Sequence, residues 1–159
     1  MGEKSELLEQ LAHHRSMLRV TVQGLSDEQA TRRTTVSELT LAGILKHVTY
    51  AERLWIDFVV EGSKVDDMDR YAASFRMEPG ETLDGLLADY DAVAERTEKV
   101  AADLPSLDVA HRLPTAPWYP PDTSWSARQV LIHILAETAQ HAGHADILRE
   151  SLDGARTMA

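Results

Sequence analysis

Apolar residues recur every three or four positions in four separate stretches of the chain, with polar or proline-rich segments between them. In the first stretch Leu7, Leu8, Leu11, Leu18 and Val22 mark one helix face, and Gly24 supplies a stop. The second begins after Thr40, a residue suited to an N-cap, carries Ile44, Val48, Ala51 and Trp55, and runs towards Gly62. Leu83, Leu86, Leu87, Tyr90, Val93 and Val100 form the third stripe, which Pro105 ends. In the fourth, Val130, Ile134, Ala145 and Leu148 continue to about Asp153 and Gly154. Ser126 and Gln129 have capping-box spacing at its start, with Thr123 or Ser124 as the alternative cap. The pattern predicts helices over 3–23, 40–61, 82–103 and 124–152 and no strand-like alternation. Four helices of about 20 residues, each about 30 Å long, have the proportions of an all-α four-helix bundle.

Two connections stand out. A charged segment, 64–70, and the Pro79–Gly80 pair separate the second helix from the third. The stretch 105–124 holds Pro114, Pro117, Pro120 and Pro121 with Trp118 and Tyr119. That is too much proline for a helix and too much aromatic surface for a solvated linker, so this loop before the last helix is expected to pack on the bundle. With 159 residues, the chain (1–159) is expected to form one domain with a core of its own.

The fourth stripe contains a carboxylate and an imidazole. Glu137 and His141 are one helical turn apart, in line with Val130, Ile134, Ala145 and Leu148, where a core normally holds leucine. A buried charge is expensive unless it is paired, and a metal ion taking both groups as ligands removes the cost. His47, beside the second stripe, is the third ligand on offer. Two imidazoles and one carboxylate leave coordination positions open, as a catalytic zinc requires, and the same set also serves iron, nickel or manganese. The alternative is a hydrogen-bonded core pair with His47 facing a neighbouring helix.

Composition narrows the partners. Cysteine is absent, so thiol chemistry must import its thiol. A formal charge of -10 opposes phosphate backbones and argues against nucleic acid. No apolar run reaches the length of a membrane span and no signal-like start is present, from which a cytoplasmic location is expected.

Four segments carry a family resemblance: GLSDEQA at 24–30, LKHVTYAER at 45–53, PGET at 79–82 and LIHILAETAQHAGHADILRE at 131–150. With these the chain resembles the DinB-like (YfiT-like) four-helix metalloprotein superfamily, in particular its actinobacterial branch of mycothiol-dependent enzymes. The resemblance implies a divalent metal, zinc foremost, held by His47, Glu137 and His141. Glutamate in the middle position, where many relatives have histidine, is similar to the mycothiol S-transferase and maleylpyruvate isomerase branch. It further implies mycothiol as cosubstrate, a small-molecule electrophile and, as bundles of this superfamily often pair, a homodimer. The isomerase carries an additional C-terminal domain not seen in this chain, so S-transfer is expected over isomerisation.

Other side chains are weighed against plainer roles. His144, Trp55 and Trp118 are candidates for the thiol-binding pocket, although a partly exposed histidine and loop-packing aromatics are the ordinary alternatives. His133 stands four before Glu137, but three successive i+4 positions drift around the helix, and the resemblance favours the pair at 137 and 141. Glu52, Asp146 and Arg149 are read as helix salt-bridge partners or as neighbours of the ligands, Tyr119 and Trp125 as packing aromatics, and His13, His14 and His111 as surface residues. The function these features predict is metal-dependent activation of a low-molecular-weight thiol. Its alternatives are a metal-assisted hydrolase and a stress-related metal-binding or interaction module without catalysis.

Overall fold

Hydroxyl side chains start three of the four long helices. Thr40, Thr82 and Ser126 accept from the backbone N–H groups of Gly43, Gly85 and Gln129, satisfying one orphan donor at each N-terminus. The computed structural model describes residues 2–62 and 67–158. Within them the helices are α1 (Glu3–Val22), the four-residue α2 (Asp27–Ala30), α3 (Leu41–Glu61), the six-residue α4 (Met68–Ala73), α5 (Leu83–Asp103) and α6 (Ala127–Asp153). The expected boundaries of α1, α3 and α5 hold to within a residue. Part of the charged connection expected at 64–70 lies outside the described residues, and its remainder enters α4.

The last helix begins later than its sequence pattern predicts. Residues 124–126 form a short strand, β2 (Ser124–Ser126), antiparallel to β1 (Ala110–Arg112), with His111 opposite Trp125. The ribbon takes up backbone groups that a further helical turn would have satisfied. Ser126, rather than Thr123 or Ser124, is therefore the cap, and it closes a capping box with Gln129. Gly154, at φ 80°, ends α6 in the left-handed conformation that glycine adopts without a Cβ penalty.

Helices α1 and α3 each pack on both α5 and α6, and together these four form the bundle. Its apolar interior is divided. One cluster gathers Leu18, Val22, Leu41, Ile44, Leu45, Val48, Tyr90, Ala142 and Leu148; the other gathers Leu11, Ile56, Phe58, Val130, Leu131 and Ile134. Between the two, each long helix contributes a buried polar residue. These are Arg15 between Leu11 and Leu18, Glu52 between Val48 and Ile56, Thr97 between Tyr90 and Val100, and Thr138 between Ile134 and Ala142. All are satisfied: Arg15 pairs with Glu52, Thr97 donates to Glu52 Oε1 at 2.6 Å, and Thr138 donates to the Ile134 carbonyl at 2.8 Å. No helix among the described residues is long and apolar enough to cross a membrane.

Candidate metal centre

His47 faces α6 because α3 turns its apolar stripe inward, and the stripe carries the imidazole with it. The ring is buried, and three aromatic neighbours hold it. Phe75, just beyond α4, stacks on it at 3.8 Å with planes 14° apart; Tyr71 and His141 meet it edge-on at 5.5 and 5.0 Å. Nδ1 of His47 lies 2.9 Å from the Ser74 hydroxyl. The other ring nitrogen, Nε2, is directed at Glu137.

Across the helix interface, Glu137 and His141 stand on one face of α6, as their spacing dictates. Oε2 of Glu137 is 3.8 Å from His47 Nε2 and 3.7 Å from His141 Nε2. One ligand atom from each of the three residues falls within 4.8 Å of the others. Four-coordinate zinc with bonds of about 2.0 to 2.1 Å separates its ligand atoms by about 3.4 Å. The three atoms are thus spaced to fit one divalent ion with small rotamer adjustments.

Charge supports the same fit. His47 is the largest influence holding the Glu137 carboxyl below the usual carboxylate range, against the opposing effect of burial and with help from His133 and His141. Burial first, then the neighbouring His47, holds His141 below the ordinary imidazole range, although Glu137 opposes this. A carboxylate and a neutral imidazole are the protonation states that ligate a metal, and the two shifts favour them at Glu137 and His141. Nδ1 of His141 faces Nδ1 of exposed His144 at 3.4 Å, which leaves Nε2 for the Glu137 side.

Access is one-sided. Side-chain exposure rises from 2% at His47 through 13% at His141 to 30% at Glu137, so the cluster is sealed at α3 and opens beside Glu137. Among the described residues no further histidine, cysteine or carboxylate joins the three as a ligand-spaced group.

The remaining candidates take different places. His144 borders His141, ring centroids 5.3 Å apart. Trp55 lies one step removed: it stacks on Trp125 at 4.9 Å, and His133 meets its edge at 4.9 Å. His133 is half-buried, held below its ordinary pKa by burial with Glu137 acting in the opposite sense, and it links this aromatic group to the carboxylate. Trp118 is 66% exposed and packs on Tyr119, whereas Tyr119 and Trp125 pack on the core, as expected of that loop. Glu52 is a buried ion-pair partner of Arg15. Arg149 donates to the carbonyls of Thr21 and Gln23, fastening the end of α1 to α6, and Asp146 accepts from the Thr157 N–H, holding the C-terminal segment on α6.

His111, expected on the surface, is half-buried: its Nε2 lies 3.1 Å from the Val59 carbonyl oxygen and its ring meets Phe58 edge-on. Its place in the ribbon carries it there, which no periodic signal announced. Sequence reading also missed Ser74, Phe75 and Tyr71. They come from a six-residue helix and the turn after it, too short for an apolar stripe.

Comparisons with known proteins agree with this architecture. A search of the curated proteins found no match. Among solved structures, one described as a conserved protein of locus from Enterococcus faecalis superposes with a TM-score of 0.73 at 12% identity, covering 98% of this chain and 99% of that one. At that identity the likeness shows the fold alone, an all-α bundle. The family model for mycothiol-S-transferase matches residues 6–154, nearly the whole chain. The chain belongs to the mycothiol-S-transferase family.

Proposed function

We propose that this protein is a divalent-metal-dependent S-transferase that joins mycothiol to a small electrophile. The observation that carries the reading is the convergence of His47, Glu137 and His141 at a site open on one side, in a chain of the mycothiol-S-transferase family. A divalent ion bound there, zinc foremost, supplies a Lewis acid that favours thiolate over thiol near neutral pH. His47, Glu137 and His141 would hold it. Phe75 and Tyr71 keep water from the His47 face, and the Glu137 side admits the reactants. The nucleophile has to come from outside, because the chain contains no cysteine. In the transfer, the thiol loses its proton to solvent, its sulfur forms a bond to the electrophilic carbon, and the leaving group departs with the bonding pair. We read the matched span as one domain acting on small molecules in the cytoplasm. The net charge of -10 supports that choice over nucleic acid.

Initial rates with mycothiol, bacillithiol and glutathione against a panel of activated electrophiles, each with and without chelator, test this reading. The expected result is a rate that needs both ion and thiol, is greatest with mycothiol and falls sharply in Glu137→Gln. Metal-dependent hydrolysis without added thiol would replace it with a hydrolase, and no metal-dependent rate across the panel would leave a binding module.

A further inference from the structure

The Ser74 hydroxyl has one proton, and the structure shows where it goes. Oγ of Ser74 donates to the Tyr71 carbonyl oxygen at 2.6 Å, one turn back in α4. The same oxygen lies 2.9 Å from His47 Nδ1. With its proton committed to a carbonyl, which can only accept, Ser74 can only accept from the imidazole, so Nδ1 carries the His47 proton. In the neutral ring Nε2 then holds the lone pair, 3.8 Å from Glu137 Oε2, where a cation between the two would meet both.

How Ser74 reaches this position is also visible. Gly43 lies one turn before His47 on the same face of α3. A β-carbon there would collide with the Phe75 carbonyl oxygen and stand 2.9 Å from the carbonyl carbon. The missing side chain lets residues 74 and 75 lie directly on α3, with Phe75 flat against the imidazole and Ser74 at its Nδ1. Lys46 fastens the same turn by donating to the Arg76 carbonyl at 3.0 Å and to Glu81 at 2.8 Å.

We propose that Ser74, docked by Gly43, is a positioning residue that fixes His47 as the Nδ1–H tautomer with Nε2 presented for metal. The proposal rests on the metal reading above and adds residues that touch neither ion nor reactants. Partners of this kind orient a ligating imidazole, and their loss typically lowers metal affinity by about 10- to 100-fold.

Two readouts test it in the full chain. Long-range proton–nitrogen NMR of the metal-free protein at neutral pH reports the His47 tautomer without reference to zinc, and competition with a chromophoric chelator reports zinc affinity. Wild type should show the Nδ1–H form. Ser74→Ala should lose that preference and bind zinc about 10- to 100-fold more weakly, Ser74→Thr should stay close to wild type, and Gly43→Ala should weaken zinc with every ligand intact. A packing role alone would lower the melting temperature of Ser74→Ala and leave tautomer and affinity unchanged, which would overturn the proposal while the metal reading stands. An Nε2–H tautomer in wild type overturns it without any variant. Wild-type protein that shows the Nδ1–H form yet binds no zinc overturns the metal reading, and this proposal with it.

Discussion

Arg15 of α1 and Glu52 of α3 pair inside the bundle, at the break between its two apolar clusters. Both side chains are almost fully enclosed, and Nε of Arg15 donates to Glu52 Oε2 at 3.3 Å while Nη2 takes the other carboxylate oxygen. Removing Glu52 leaves the buried Arg15, among the described residues, with only the exposed Glu98, 3.7 Å away. Glu52→Ala is therefore expected to cost about 3 to 5 kcal/mol, measured by urea unfolding, and replacing both residues with apolar ones of similar volume should recover much of the loss. A loss below about 1 kcal/mol for Glu52→Ala would show that water reaches the pair.

Tyr90 gives a prediction in pH. Its hydroxyl is buried and has no hydrogen-bond partner among the described residues. Burial chiefly, and the Glu52 charge next, push its pKa well above the ordinary phenol value. The unfolded chain ionises Tyr90 near pH 10 while the folded chain keeps the proton, so this contribution is intact below about pH 10 and is lost as pH rises through the folded value. Tyr90→Phe should be neutral or slightly stabilising at pH 7 and should lose stability less steeply above pH 10, as followed by thermal melts. An equal alkaline slope in the variant would contradict the assignment.

Trp118 of the loop and Trp125 of β2 should separate cleanly. Trp118 is largely exposed, so Trp118→Ala should alter unfolding free energy by no more than about 0.5 kcal/mol. Trp125 stacks on Trp55 and packs with Tyr119 and His133, so Trp125→Ala should cost more than about 1 kcal/mol. The reverse order in denaturant titrations would mean that the loop sits differently on the bundle.

Zinc should bind the fold tightly enough to register in its stability. A ligand at about 100 times its Kd stabilises by about 2.7 kcal/mol. Wild type should therefore melt higher with zinc, and chelator should reverse the gain. His141→Ala should abolish both the gain and stoichiometric zinc, whereas His144→Ala should keep full stoichiometry because His144 contacts His141 and lies outside the triad. Equal stabilisation in His141→Ala would place the ion elsewhere.

The long helices were legible because their information is local: an apolar stripe, a hydroxyl cap and a glycine or proline stop. Glu137 and His141 were legible for the same reason, since a fixed turn of helix sets them side by side, and His47 followed from the bundle that such stripes imply. Ser74 and Phe75 were not, because their position depends on a close approach between the turn after α4 and Gly43, 30 or more residues away. Of the polar layer, Glu52 was legible as a salt-bridge partner or a neighbour of the ligands, whereas Arg15, Thr97 and Thr138 escaped notice because each, taken alone, reads as an ordinary surface position. The β1–β2 ribbon escaped because three residues are too few to show alternation.

The central claim, that His47, Glu137 and His141 hold an ion to which the external thiol is delivered, is tested most directly by zinc X-ray absorption with and without mycothiol. Zinc–sulfur distances of about 2.3 Å stand apart from zinc–nitrogen and zinc–oxygen distances of about 2.0 to 2.2 Å. Because the chain has no cysteine, no protein thiolate can supply such a sulfur. The zinc-loaded protein alone should show only nitrogen and oxygen neighbours, including two imidazoles, and saturating mycothiol should add one sulfur at about 2.3 Å. A nitrogen and oxygen shell unchanged by saturating thiol would contradict the account.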